Sequence, residues 1–509
     1  MTFLDKLLDY YHLSKADYDA LIKDVNESCV PHYASFQNIE KIRDKIKELI
    51  ANKEKILIYG DYDADGILAT SILYITLKKL NADISYYIPS RYIDGYGLTS
   101  DKVIKAKENG FNAIITVDNG VNALKAIDKA NELNIALIIT DHHEYNNQIN
   151  TPYLLHPKLS KLNVTTSGAM VAFYLSYALL EKIDPYLLTL GAISIYSDIM
   201  PMKGANHDIA KLANKYLNRY KFGKINLLSE SIYYDENVLC LNLIPKINAI
   251  GRIESKNEAN ILVKYFTSDR YLDQLKMRDY INSVNIRRKE MAKEIIANVQ
   301  IDKEEPAIIL TLDILSGMTG LIANRLLTKY NKVTCIFSSQ STDDCLRASM
   351  RSKNGLNVMD FINNNKELFQ EFGGHQLAAG FLIKKENIEI FKQKLNEFAK
   401  NHPFIDDANN IIIHKEDINY SNYKIIRSLA PFGHDFNAPI FNLRDINVNE
   451  IKRTGKNNDT LIVHLFNNAK IIGFRYDFNK LKDQETISFV GRYNVERYKG
   501  YEYLNFIIE

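Results

Sequence analysis

Asp61-Tyr-Asp63-Ala-Asp65-Gly66 gathers three carboxylates directly after Lys55-Ile-Leu-Ile-Tyr59, an apolar run of strand character. Like charges crowded in this way repel unless a cation lies among them. Acidic oxygens without thiols suit hard divalent ions such as Mg²⁺ or Mn²⁺. A solvated acidic turn accommodates the same residues, because Asp and Gly also favour turns. Three further segments repeat the arrangement. Ala113–Val117 is followed by Asp118-Asn-Gly120, and Ile135–Thr140 by Asp141-His142-His143. Gly191–Ser197 is followed by Asp198. Four acidic segments, one with a His-His pair, describe a metal-binding rim better than a decorated surface.

The elements that position these residues follow from periodicity. The first three apolar runs alternate with helical patterns at Ala69–Leu80 and Ala123–Leu133. Such alternation predicts a parallel sheet, whose ligands bind at the carboxyl ends of the strands, so the acidic groups and imidazoles converge on one rim. Adjacent residues of an extended segment point to opposite sides, which predicts different tasks for His142 and His143. Asp141 is expected to orient an imidazole through its second nitrogen.

Taken in order, Asp61-Tyr-Asp63-Ala-Asp65-Gly66, Val117-Asp118-Asn-Gly120, Asp141-His142-His143 and Ser197-Asp198 resemble the four motifs of the DHH phosphoesterases. Within that family the chain is most similar to the RecJ-like, single-strand-specific 5′→3′ exonucleases. Arg91-Tyr-Ile-Asp-Gly95-Tyr96-Gly97 and Asn248-Ala-Ile-Gly251-Arg252 carry the resemblance onward. Ser349-Met-Arg351 and Gly373-Gly374-His375-Gln-Leu-Ala378-Ala379-Gly380 look like DHHA1 substrate-binding motifs.

The resemblance implies two divalent ions, Mn²⁺ or Mg²⁺. It places Asp63 at the first ion with Asp61 as an auxiliary, and Asp118 between the two. Asp65, His142 and Asp198 complete the second, and His143 faces the scissile phosphate. It assigns phosphate contacts to Arg91, Arg252, Ser349, Arg351, Gly373, Gly374 and His375. Guanidinium forks suit this task because they bind phosphate bidentately. One departure is Tyr59, which stands where many relatives have a histidine; the resemblance then implies a weaker first site, with Asp61 compensating.

Composition is compatible with several domains in 509 residues. A net charge of +2 excludes a globally basic nucleic-acid binder, so any DNA path is a local stripe. Cys29, Cys240, Cys335 and Cys345 lack CxxC spacing and read as thiols in a reducing compartment. No apolar stretch reaches membrane-spanning length, and Met1–Lys6 lacks a signal-peptide core, so a cytoplasmic protein is expected.

The expected organisation is α/β: an N-terminal helical extension over 1–45 and a DHH catalytic domain with a parallel sheet over 46–205. A helical segment with a long connecting helix follows over 206–298, then a second α/β domain of DHHA1 type over 299–402. Several short strands over 405–509 predict a small all-β module. The resemblance makes it OB-like, a form that stacks bases on aromatic rings beside a cationic groove. Arg492, Tyr493, Arg497, Tyr498 and Lys499 supply such groups, although tyrosines are also ordinary strand residues.

The resemblance implies degradation of single-stranded DNA to 5′-mononucleotides in repair and recombination. It implies single strands supplied by a helicase or a single-strand binding protein; nothing in the sequence points to an obligate oligomer, so a monomer is expected. Two alternatives remain: a phosphodiesterase for nanoRNA or cyclic dinucleotides, and a DNA-binding replication factor without catalysis. The C-terminal module disfavours the first, and the complete acidic set disfavours the second.

Overall fold

Short, β-branched apolar runs separated by helices build the sheet that carries the acidic segments. A computed structural model describes residues 1–94, 97–145, 147–253, 258–340, 344–405, 410–465, 469–482, 484–498 and 501–509, with Tyr498 described by its backbone alone. Strands β1 (Ile56–Tyr59), β2 (Ile84–Tyr87), β3 (Ala113–Val117), β4 (Ala136–Thr140) and β5 (Leu154–Leu155) form one sheet in the order β2-β1-β3-β4-β5. Every pairing is parallel. The residues of β1 and β3 are all buried, as expected of strands covered on both faces.

The helices Ala64–Lys79 and Gly168–Leu180 pack together, with a hydrogen bond of 2.6 Å between the Thr76 and Ser176 hydroxyls. Both are apolar nearly all round because both lie inside the domain. The first helix begins at Ala64, well before the Ala69 that apolar periodicity marks. Asp63 is its N-cap and accepts the Gly66 amide at 3.1 Å. Capping of the free amides therefore moves the helix start into the acidic motif and places Asp65 in the first turn.

The helix Tyr271–Asn298 leads into a second sheet. Strands β6 (Ile308–Leu312), β7 (Thr334–Ser338), β8 (Cys345–Arg351), β9 (Phe369–His375) and β10 (Ala378–Lys384) run in the order β6-β7-β8-β10-β9. The β6–β7 pair is parallel and the others are antiparallel. A separate core of Phe337, Phe361, Phe369, Phe381 and Phe391 lies beneath this sheet. Gly373-Gly374-His375, which composition suggests is a turn, forms the exposed end of the edge strand β9.

Two compact units divide the chain: Glu27–Asp406, which holds both sheets described above, and Met1–Asn26 together with Asp407–Glu509. The expected N-terminal extension over 1–45 is thus split. The second unit has a seven-stranded sheet of β11 (Ile411–Ile413), β12 (Phe441–Asn447), β13 (Lys452–Thr454), β14 (Thr460–His464), β15 (Lys470–Gly473), β16 (Thr486–Tyr498) and β17 (Tyr501–Ile508). Their order is β11-β12-β16-β17-β15-β14-β13.

The helices Phe3–Tyr10 and Lys15–Leu21 each start with a capping box, at Thr2/Asp5 and Ser14/Asp17. Phe3 and Leu7 enter the core of the sheet, with Phe3 stacked on Phe441 at 5.9 Å. Lys6 donates to the Ile412 carbonyl at 3.0 Å, and the Tyr11 hydroxyl to that of Asn437 at 2.7 Å. Their amphipathic faces have nothing to bury against locally, and the β module supplies the missing surface.

Leu7 is fully buried there, so Leu7→Ala should destabilise the C-terminal unit by about 2–5 kcal/mol. Hydrogen exchange in the full-length protein tests this. Faster exchange in β12 and β16 is expected; protection equal to wild type contradicts a structural role for the N-terminal helices.

Candidate metal centre and phosphate pocket

The carboxyl ends of β1, β3 and β4 lie side by side, since Tyr59 pairs with Thr116 and Val117 with Thr140. The chain leaving each strand delivers its acidic group to the same rim. Asn119 ties the ends together, its side-chain amide donating to the carbonyls of Val117 at 2.9 Å and Gly60 at 3.2 Å. Asp118 adopts a left-handed conformation, with φ +61°. Gly168 makes room for it: a Cβ there would lie 2.7 Å from that of Asp118.

His142 stands at the centre. Its Nε2 lies 3.1 Å from Asp118, 3.3 Å from Asp198 and 3.7 Å from Asp65. Asp198 caps the C-terminal end of the helix Pro185–Ser197, so this fourth acidic segment leaves a helix. Asp65 is held from behind, where its two oxygens accept the Gly168 and Ala169 amides at 2.7 Å each. The start of the helix Gly168–Leu180 thus favours the charged carboxylate. These two amides lie outside the sequence motifs; the Ser-Gly cap before an apolar helix is their only trace.

The two histidines do not diverge. Their rings lie 4.6 Å apart, and His143 Nδ1 is 3.9 Å from Asp118. Beyond Thr140 the chain turns rather than staying extended, and Asp141 directs that turn. Its Oδ1 accepts the His142 amide at 2.7 Å and the His143 amide at 3.1 Å, and contacts His143 Nδ1 at 2.8 Å.

The protonation states differ accordingly. Burial, reinforced by the neighbouring His143, pushes His142 down to about 3, leaving a neutral imidazole. Burial also disfavours charge on His143, but the hydrogen bond and charge of Asp141 outweigh it and raise His143 to about 9. Asp141 resists burial by the same pairing and falls to about 2.

Three groups of donors can each hold a cation: Asp61, Asp63 and Asp118; Asp65, His142 and Asp198; and Asp118, His142 and His143. Asp61 Oδ1, Asp118 Oδ1, His142 Nε2 and Asp198 Oδ2 are buried without a hydrogen-bond partner. Buried polar atoms of this kind are rare unless something else satisfies them. The residues therefore fit divalent cations bound by oxygen and imidazole. Tyr59 is no ligand in this geometry. It is buried, its hydroxyl donates to the Gly97 carbonyl at 3.1 Å, and burial raises its pKa far above the usual phenol value.

Next to the acidic cluster lie half-buried arginines. Arg91 sits over the Tyr62 ring at 4.4 Å, and its buried Nε has no hydrogen-bond partner. Burial and the charges of Arg91, Arg288 and Arg351 lower Arg252 to about 10. Arg351 is likewise shifted down by burial. Ser349 Oγ is 2.9 Å from the Thr319 hydroxyl. Cations crowded together with reduced access to water describe a cradle for an anion. Gly95 and Tyr96 of the Arg91 segment lie outside the described residues.

The motif Asn248-Ala-Ile-Gly251-Arg252 joins the two halves of the site. Asn248 Oδ1 accepts the Ala64 amide at 2.9 Å, and a Cβ at Gly251 would stand 2.5 Å from the Tyr62 carbonyl. The helix Ile244–Ile253 can therefore approach the first acidic motif closely. His375 is among the charges felt at His142, which relates strand β9 to the same site.

The C-terminal candidates separate. Tyr493 is a core residue that packs on Phe441 at 4.9 Å and donates to the Asp417 carbonyl at 2.7 Å, so it is no platform for bases. Strand alternation turns it inward. Arg492 pairs with Glu509, and Arg497 with Glu502 at 2.8 Å. Exposed pairs of this kind are weak. Lys499 and the Tyr498 side chain lie outside the described residues.

Comparison with known proteins agrees with this architecture. Family models match in series: the DHH family N-terminal domain over residues 55–195, the DHHA1 domain over 304–401 and the RecJ OB domain over 410–509. The chain thus carries DHH, DHHA1 and RecJ OB domains in that order. It is 29% identical over 490 residues to the single-stranded-DNA-specific exonuclease RecJ of Bacillus subtilis, covering 91% of this chain and 62% of that protein. The chain thus spans about three fifths of that relative's length.

The solved structure of RecJ from Thermus thermophilus with Mn²⁺ has the same fold. It aligns with a TM-score of 0.80 at 21% identity, over 93% of this chain and 71% of that one. A manganese-bound exonuclease RecJ aligns with a TM-score of 0.61 at 25% identity, over 74% of this chain and 96% of that one. Among the described residues, no helix is long and apolar enough to cross a membrane.

Burial and mutual repulsion raise Asp61 to about 8 and Asp65 to about 7, and push Asp118 and Asp198 well above the usual value of 3.8. A group raised in the fold stabilises it fully below the unfolded pKa and loses that effect as pH rises through the folded one. His143 acts in the same direction above pH 6.5, and His142 is neutral in both states there. The melting temperature in EDTA should therefore fall from pH 6.5 to 8, and saturating Mn²⁺ should flatten the slope. A metal-free melting temperature that holds or rises over this range contradicts the buried repulsion.

Proposed function

We propose that the protein is a metal-dependent 5′→3′ exonuclease that degrades single-stranded DNA to 5′-mononucleotides in repair and recombination. The observation that carries this reading is the juxtaposition of a largely buried acidic–imidazole cluster with a half-buried arginine cradle. The first suits divalent cations and the second a phosphate. The relatives named RecJ and the RecJ OB domain support DNA as the substrate.

In this reading Asp61, Asp63 and Asp118 hold one divalent ion, and Asp65, Asp118, His142 and Asp198 hold the other. When bound, such ions lower the pKa of water and neutralise charge on the phosphate. The remaining work falls to the chain itself. His142, kept neutral, presents a lone pair at Nε2. His143, kept protonated by Asp141, donates to a non-bridging oxygen of the scissile phosphate and stabilises its growing charge.

Arg91, Arg252 and Arg351, with Ser349, grip the terminal phosphate and so place the first linkage at the cluster. Gly373, Gly374 and His375 approach the strand from β9. Arg492 and Arg497 exchange their carboxylate partners for the DNA backbone. A cytoplasmic monomer, supplied with single strands by a helicase or a single-strand binding protein, completes the reading.

End-labelled single-stranded DNA with Mn²⁺ or Mg²⁺ tests it against duplex DNA, a dinucleotide and cyclic dinucleotides. Mononucleotides released from the 5′ end of long single strands are expected. Turnover confined to the short substrates would move the protein to the nanoRNA or cyclic-dinucleotide branch. Asp118→Ala should lower kcat by at least about 10³-fold, because it leaves both cation sites incomplete. Metal-dependent cleavage at the wild-type rate in that variant would overturn the assigned centre.

A further inference from the structure

The helix Pro185–Ser197 ends with two hydrogen bonds. The Met200 amide donates to the Ile195 carbonyl at 2.9 Å, and the Ile199 amide to that of Tyr196 at 3.3 Å. This is a Schellman ending, which requires the left-handed conformation at its penultimate residue. That residue is Ile199, with φ +53°. Glycine takes the conformation freely, whereas a β-branched side chain crowds the backbone there. Among the described residues, Ile199 is the one β-branched residue at positive φ; the other non-glycine cases are Asn, Asp, Lys, Glu, His and Arg. Burial does not offset the strain, since Ile199 is 65% exposed.

Its place is informative. Ile199 directly follows Asp198. The side chains of Asp65, Asp118 and His142 are 1%, 3% and 7% exposed, whereas those of Asp198 and His143 are 27% and 39% exposed. The cluster therefore opens on the side of Asp198 and His143, and an apolar side chain stands exposed beside that mouth. The helix ending needs a left-handed residue but not a β-branched one, and backbone strain of this kind clusters at positions that act on a ligand.

We propose that Ile199 is a substrate contact whose side chain packs against a nucleobase near the 5′ end of the strand held at the cluster. The proposal rests on the exonuclease reading above. An aliphatic contact suits an enzyme that must accept every base, because each base offers an apolar face and no hydrogen-bond code is read.

Ile199→Gly separates the strain from the contact. The variant should melt about 2 °C higher than wild type, because glycine relieves the left-handed position. Its kcat/KM on single-stranded DNA should fall about tenfold through the lost apolar contact. The Mn²⁺ concentration for half-maximal activity should not change. Oligonucleotides with an abasic site at the first, second or third position supply the decisive readout. Wild type should prefer the intact strand over at least one of them by about tenfold, and the variant should lose that preference.

Unchanged kcat/KM in the variant overturns the proposal. So does an equal loss on intact and abasic strands, or a shifted Mn²⁺ requirement, either of which assigns the effect to Asp198. A wild-type protein that hydrolyses no single-stranded DNA overturns the exonuclease reading and this contact with it.

Discussion

Three carboxylates, those of Asp65, Asp118 and Asp198, crowd within 4 Å of one imidazole and repel each other, and the surrounding structure is arranged to contain that repulsion. Asp65 is anchored by two amides at the start of a buried helix. Asp63 is engaged as the cap of another. Asp118 stands in a left-handed turn that Gly168 makes possible. None of these contacts neutralises the charge; they hold the oxygens still. Rigid oxygens facing one point form a cation site before any ion arrives, because reorganisation has already been met in folding.

The arginine cradle is the complement of this arrangement. Guanidiniums lose hydration on burial just as carboxylates do, and Arg252 feels Arg91, Arg288 and Arg351 as further repulsion. One cluster calls for positive charge and its neighbour for negative charge. In the proposed reading, a metal-bound phosphodiester with a terminal phosphate would satisfy both at once. The helix Ile244–Ile253 joins the two through Asn248 and Gly251, so the spacing of cluster and cradle is a packing property.

The C-terminal unit obeys a different constraint. Its strands alternate inward and outward, and each aromatic residue serves the core or the solvent according to register. Tyr493 and Phe441 face inward and meet Phe3 from the opposite end of the chain. That contact explains why the first 26 residues belong with a module whose strands begin only at Ile411.

Much of this protein is legible in its residues. The acidic segments after apolar runs specify a parallel sheet with a metal-binding rim, because strand ends and carboxylates are local properties. The collinear motifs mark the DHH and DHHA1 domains and single out the arginines proposed to hold phosphate. The rest depended on contacts between residues far apart in the chain. Asp63 as a helix cap, the amides behind Asp65, the paired rings of His142 and His143 and the inward Tyr493 are set by backbone direction and by neighbours that no local pattern names. Sequence alone determined which groups can bind a cation or a phosphate. Tertiary structure decided which of them converge, which are held charged or neutral and which are buried, because burial and distance fix the energy of a charge.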